Sequence, residues 1–490
     1  MRKKTCILIL TAVLAVSFAS LAFAAKRPHP SKLVYPPMKM TTPEAVEIDL
    51  SNGLSGFFIE DHEIPVVDIV LLVKTYFPPR EKYGLNEMAQ WVMRNGGTEA
   101  WPADRLNDEL EFLAANIEIY GGAGGGGMLG GRGGGSGPGG SLSTTIALNC
   151  MKKDLPHVLD IFADLVMNPS FPDDKIEMKR KTMLEDILRK NDEPNTVSSR
   201  EFAKLIYGDH PYAWEATDGT VKSLSQADLI AFHDAFFHPG NAIIGVSGDV
   251  TKGEIVAELE RVFKGWPKAD VTIPKVPDLP PPGGPSVNYA FMDINQTYIA
   301  VGHQGIASSD PERCAVNIMN FILGGGSFTS WITEKVRSDE GLAYHAASRY
   351  TSDPFAKGLF TAVAQTKADA TSRATTIMVD QIRRMQDTGP TTDEVKRAID
   401  SYVNGQVFDN ESKTQVVRRL VQLRFEGRPL DTPQRDMDTY AKLTVADVTA
   451  AARKYLHPDA LTMLFVGNAK LFDRPLIDFG PVNEIKLEKE

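Results

Sequence analysis

Nine histidines, at positions 29, 62, 157, 210, 233, 238, 303, 345 and 457, are where a metal centre or a general base would first be sought. A helix-borne zinc hydrolase needs two of them one turn apart with a carboxylate nearby, so that the ligands converge from one face. No two histidines form a His-x-x-x-His pair, and residues 63–156 contain none at all. His233 and His238 are five apart, which splays them around a helix. His238-Pro239 and His457-Pro458 each follow a helical segment, where a capping role is expected. Serine chemistry has no Gly-x-Ser-x-Gly elbow. Phosphate-binding glycine patterns match only a low-complexity glycine tract, where they carry no meaning.

The elements that would hold any site are organised as a repeat. Displaced by 219 positions, Asp174 falls on Asp393, Ile176 on Val395, Gly208 on Gly427, Leu224 on Leu443, Ala227-Asp228 on Ala446-Asp447, His238-Pro239 on His457-Pro458 and Gly248 on Gly467. Ser225/Asp228 and Thr444/Asp447 are matching capping boxes. Each opens an amphipathic helix that stops at His-Pro, and a short apolar strand follows, Ala242–Val246 or Leu461–Val466. A shared register with shared caps, stops and strands implies two diverged copies of one fold.

Residues 267–285 are rich in proline and lack a helical period, which predicts a stiff connector between halves at about 45–266 and 286–472. The first half opens with strands at Val46–Leu50, Phe57–Glu60 and Val66–Lys74. Helices are expected over 84–94, 103–115, 153–167 and 173–190, and strands near 117–120 and 141–150. Strands and helices mix without strict alternation, so the fold class is α+β: two homologous α/β domains with largely antiparallel sheets. Residues 121–140 hold fourteen glycines and interrupt a hairpin. Glycine on this scale resists packing, which reads as an inert insertion or as a pliable flap at a cavity mouth.

The start of the chain carries an address. Arg2, Lys3 and Lys4, an apolar run from Ile7 to Phe23 and Ala22-Phe23-Ala24 read as a signal peptide (residues 1–24) cut after Ala24. The net charge of −10 then becomes about −13. An acidic chain is not built for nucleic acid, and no membrane insertion is expected after cleavage. Cys150 and Cys314 fall in different halves and are expected to be buried thiols rather than a disulfide.

From Gly84 a helix runs to Asn95-Gly96-Gly97. Leu85, Met88, Ala89 and Val92 should face the core, with Glu87, Gln90, Trp91 and Arg94 on another face. Tyr83-Gly84-Leu85, this helix and Gly96-Gly97-Thr98 resemble the first helix of the pitrilysin/insulinase-type metallopeptidases (inverzincins). Asp61-His62-Glu63-Ile64-Pro65-Val66-Val67, Asn168-Pro169-Ser170-Phe171-Pro172, Phe237-His238-Pro239-Gly240-Asn241, Gly324-Gly325-Gly326-Ser327-Phe328 and Gly341-Leu342-Ala343-Tyr344 are similar to further stretches of that family. The resemblance spans nearly the whole chain beyond the signal segment and implies two homologous halves.

In active members that helix carries His-x-x-Glu-His, two zinc ligands and the glutamate that activates water. The corresponding positions here are Glu87, Gln90 and Trp91, with a third ligand position near Glu185 or Asp186. Glutamine is a poor general base and the indole of Trp91 has no lone pair to give, so the resemblance implies a degenerate site without metal. It also implies that Arg337 and Tyr344, seven apart, correspond to the pair that grips substrate backbone and the developing oxyanion. Trp331 departs from the pattern, since relatives often have arginine there. Some bacterial members are heterodimers of a zinc-bearing chain and an arginine–tyrosine chain. The expected role is therefore a non-catalytic, zinc-motif-lacking subunit of an exported, periplasmic zinc endopeptidase. It would bind peptide beside zinc held by a paralogous partner. A scaffold or peptide-binding protein without proteolytic role is the alternative, and a lone metalloenzyme with substituted ligands is a third reading.

Overall fold

The predicted strand Val66–Lys74 is apolar along both faces rather than in alternation, and a strand of that kind needs cover on two sides. The computed structural model describes residues 43–121, 142–406 and 408–488 and shows what supplies that cover. The predicted signal segment and nearly all of the glycine tract lie outside the described residues.

The first sheet contains β1 (Val46–Asp49), β2 (Ser55–Glu60), β3 (Val66–Lys74), β4 (Asn116–Gly121), β5 (Ser143–Met151) and β6 (Ala242–Gly248), in the order β1-β2-β6-β3-β5-β4. The second contains β7 (Ser286–Phe291), β8 (Gln296–Gln304), β10 (Ala343–Tyr350), β12 (Leu359–Lys367), β13 (Thr462–Gly467) and β14 (Val482–Ile485), in the order β10-β12-β8-β13-β7-β14. A short parallel pair joins β9 (Ile306–Ala307) to β11 (Ser352–Asp353). Each sheet is mostly antiparallel. β6 and β13, aligned by the 219-residue shift, each have one parallel neighbour near the start of their half, β2 for β6 and β7 for β13. The outer edges differ. β1 forms a hairpin with β2, whereas β14 returns from the C-terminal end to lie parallel to β7.

Six helices matter below: α1 (Leu85–Gly96), α2 (Asp173–Leu188), α3 (Pro194–Tyr207), α4 (Gln226–Phe236), α5 (Lys413–Phe425) and α6 (Val445–Tyr455). The capping boxes that open α4 and α6 form as the sequence predicts, Ser225 with Asp228 and Thr444 with Asp447. The helix expected over 103–115 stops at Phe112, because Ala114 turns left-handed (φ 50°) and the Ala115 N–H closes back onto the Leu110 carbonyl. Cys150 and Cys314 are free and buried. No helix among the described residues is long and apolar enough to cross a membrane.

Each sheet has one face covered by its own helices. Phe58, Val67, Ile69, Leu71 and Val246 enter the first core; Val287, Ile299, Val301 and Phe465 enter the second. The opposite faces are covered by exchange. Phe57, Ile59, Val70, Leu72 and Ile243 of the first sheet pack against Val416, Val417 and Val421 of α5. Ala290, Ala300, Leu464 and Val466 of the second pack with Val197, Phe202 and Ile206 of α3. By the 219-residue register Val197 matches Val416 and Phe202 matches Val421, so one element of the repeat crosses over twice. Residues 42–490 accordingly form one compact unit.

His303 on β8 shows how tightly the second half is closed. It is 5% exposed, tilted against Phe360 and His457, and donates from Nδ1 to the Gln304 carbonyl at 2.7 Å. Burial pushes its pKa down to about 4, with a smaller contribution from His457. The unfolded chain therefore binds this proton first. Stability is expected to fall as pH drops from about 6.5 to about 4, by on the order of 3 kcal/mol. Urea titrations across that window check this, and His303→Gln should flatten the dependence.

Candidate functional site

Helix α1 starts at Gly84 (φ 103°) and ends at Gly97 (φ 71°), both backbones that favour glycine. Leu85, Met88, Ala89 and Val92 are buried in the first core, as predicted. The other face is not a free surface. Gln90 is buried and donates from Nε2 to Thr144 Oγ1 on β5 at 2.9 Å. Arg94 donates to the Ile117 carbonyl of β4 at 2.6 Å and to Asn107 at 2.9 Å. Trp91 is half-buried against the first core.

Glu87 meets Lys179 of α2, with Nζ to Oε1 at 2.6 Å. The lysine side chain is only 10% exposed and the glutamate 59%. At this position the carboxylate already holds an ammonium. Its neighbours Gln90 and Trp91 are an amide committed to a threonine and an indole, and these donors do not fit a zinc centre. Glu185 and Asp186 lie exposed on α2, more than one turn beyond Lys179. Among the described residues, no group of three histidine, cysteine, aspartate or glutamate side chains is placed to hold a metal ion. Most of the described histidines are committed elsewhere. His62 and His157 contact Glu60 and Glu109, and His210, His233, His238 and His303 contact main-chain carbonyls. His238 reaches the Asp234 carbonyl at the end of α4, a cap as expected. His457 instead lies tilted against His303, and its backbone N–H donates to that ring at 3.3 Å.

The Glu87–Lys179 pair predicts an asymmetry. Glu87→Gln strands a mostly buried ammonium and should cost about 1 to 2 kcal/mol. Lys179→Met frees a carboxylate that water can reach, and should cost less than about 1 kcal/mol. Thermal melts of the two variants and the double variant, with and without added zinc, measure both terms. Zinc is expected to raise none of the three melting temperatures.

The second half presents its polar groups outward. Arg337 lies in a π-helical turn, Glu334–Asp339, of the kind that recurs at functional sites. Tyr344 is the bulged residue of β10, where pairing with β12 jumps between Ala343 and His345. A bulge re-aims the side chain, and Tyr344 is 81% exposed. Phe328, 60% exposed, follows Ser327, whose positive φ of 59° is strained for a residue with a Cβ. The Arg337 guanidinium carbon lies 4.6 Å from the Phe328 ring centre and 5.4 Å from that of Tyr344. Arg337 makes no ion pair among the described residues, so the cation is held by two π faces with its N–H donors unspent. Tyr344 sits on β10, the terminal strand of its sheet, whose carbonyls at Ala346 and Ser348 accept from Thr333 Oγ1 at 2.8 Å and Asn320 Nδ2 at 3.4 Å.

Trp331 does not face this patch. It is 2% exposed, donates to Glu394 at 2.7 Å and lies under the Arg384 guanidinium at 3.9 Å. Sequence reasoning missed Phe328 and Lys179. Lys179 carried a usable signal, since it sits on the stripe of α2 whose other members, Ile176, Met183 and Ile187, are buried. Phe328 had only its place after Gly324-Gly325-Gly326.

Two family profiles match the chain. One, described as insulinase (peptidase family M16), covers residues 141–215; the other, the peptidase M16 inactive domain, covers residues 223–402. The chain belongs to the M16, or insulinase, family. The M16 inactive-domain match contains Arg337 and Tyr344, whereas the insulinase match begins beyond α1. An uncharacterized zinc protease of Streptomyces coelicolor is 24% identical over 310 residues, covering 62% of this chain and 67% of its own. One of Rickettsia bellii is 26% identical over 345 residues, covering 69% and 77%. A peptidase M16 inactive domain from Pseudomonas fluorescens superposes with a TM-score of 0.77 at 24% identity, over 88% of this chain and all but 1% of that one. A Helicobacter pylori protease follows with 0.74 at 18%, over 86% and 99%. These solved structures share the M16 fold.

Proposed function

We propose that this M16 chain is the zinc-motif-lacking subunit of an exported, periplasmic zinc metallopeptidase, and that it completes the active site of a zinc-bearing paralogue. The observation that carries this reading is a contrast between the halves. The zinc-site position of the first half is taken up by Glu87–Lys179, while Tyr344 stands exposed on the terminal strand β10 and Arg337, half-buried beside it, makes no ion pair among the described residues. A structural remnant would be expected to pair such an arginine. An extended peptide laid across this patch can accept at its carbonyls from the Arg337 guanidinium and the Tyr344 hydroxyl.

Purification of the native protein from its own cells tests this. A co-purifying M16 chain with an intact His-x-x-Glu-His motif, one zinc per pair and peptidase activity only in the mixture are expected. A chain that purifies without an M16 partner and leaves peptides uncut in every fraction would make it a scaffold instead.

A further inference from the structure

A cavity of about 380 Å³ lies where α3 of the first half meets the connector and the second sheet. Its apolar wall includes Leu205 and Ile206 from α3, Ile306 from β9 and Ala460. Two lining charges, Asp310 and Lys357, do not pair with each other. Lys357 is exposed and makes no hydrogen bond or ion pair among the described residues.

Asp310 is only partly satisfied. Its Oδ1 accepts the Glu312 backbone N–H at 2.9 Å, while the Tyr455 hydroxyl lies 2.8 Å from Oδ1, 2.9 Å from Oδ2 and 2.6 Å from Glu312 Oε2 and has one proton to share among them, which leaves Oδ2 with acceptor capacity. Lys454, the other lining lysine, is taken by Glu312. The cavity therefore presents one carboxylate with acceptor capacity to spare, one unpaired ammonium and apolar surface beside them. That pattern complements a molecule with an amine, a carboxylate and apolar side chains.

We propose that this cavity binds short zwitterionic apolar peptides, of dipeptide size, with the terminal amine at Asp310 and the terminal carboxylate at Lys357. The site is distinct from the Arg337 patch. Tyr350 of the cavity wall and Tyr344 are six residues apart on β10, about 20 Å along a strand. The inference does not rest on the role proposed for Arg337, and its test needs no partner chain.

Calorimetric titration of the full chain with leucyl-leucine, its N-acetyl form and its C-terminal amide provides that test. Saturable binding is expected for the free dipeptide, with each blocked form weaker by about fivefold. Lys357→Met changes an exposed side chain and should leave the fold intact. In that variant the dipeptide and its amide should bind equally, while acetylation still weakens binding. Equal affinity of all three ligands for the unmodified chain, or no saturation up to about 10 mM dipeptide, would overturn the proposal.

Discussion

Arg337→Ala is expected to lower kcat/KM of the assembled peptidase by about 100-fold, with zinc content, assembly and melting temperature unchanged. The magnitude is that of removing one fixed donor from a developing oxyanion. The guanidinium is suited to that work because its donors are not consumed within the chain, and the Phe328 and Tyr344 rings hold its plane. Stability should hardly change, since no ion pair and no buried hydrogen bond is lost. Arg337→Lys keeps the charge but loses the planar fork that lies between the rings, so it should recover only part of the loss. Tyr344→Phe keeps the aromatic face and removes the hydroxyl, separating the ring's part from the donor's. The measurement is steady-state peptidase kinetics on the purified complex. Unchanged kinetics in Arg337→Ala would leave this subunit a scaffold.

The second large effect belongs to the exchanged helices. Val417 of α5 is 1% exposed and packs on the first sheet, beside Gly245 of β6. The approach is so close that a Cβ on Gly245 would lie 2.4 Å from Val417 Cγ1. Val417→Asp places a carboxylate there with no partner and no water, and a loss of at least about 4 kcal/mol is expected. Reciprocal packing also predicts where the damage goes. Hydrogen exchange should rise in β2, β3 and β6, more than 160 residues away in sequence, as well as in α5 itself. Protection retained in the first sheet would show that the halves fold independently.

Much of this architecture was readable in the residues because local rules sufficed. The capping boxes of α4 and α6 satisfy backbone donors within one turn, so their signature needs no tertiary context. The apolar stripe of α1 and the run of β3 likewise record burial in their own periodicity. The candidate site was legible by residue type at Arg337, Tyr344, Glu87, Gln90 and Trp91. Its environment was not. Gln90 falls on a face away from the core stripe and is nevertheless buried against Thr144, because β5 covers that side of α1. Trp331 was read as a change near substrate, yet it ties the second half together through Glu394 and Arg384. Nothing local marks Lys179 as the counter-ion of Glu87, since the two meet across 92 positions.

The amino-acid order alone established the duplication, its register and the absence of histidine from the first helix, for these are properties of residue identity and spacing. Folding decided what the duplication is used for. Val197 and Val416 occupy one register position, and each covers the sheet of the other half, because an apolar strand can state that it needs burial but not which helix provides it. The same holds for charge. Glu87 and Arg337 are each an ordinary ionisable residue in the chain, and only the packed structure gives one a lysine and sets the other against two aromatic rings.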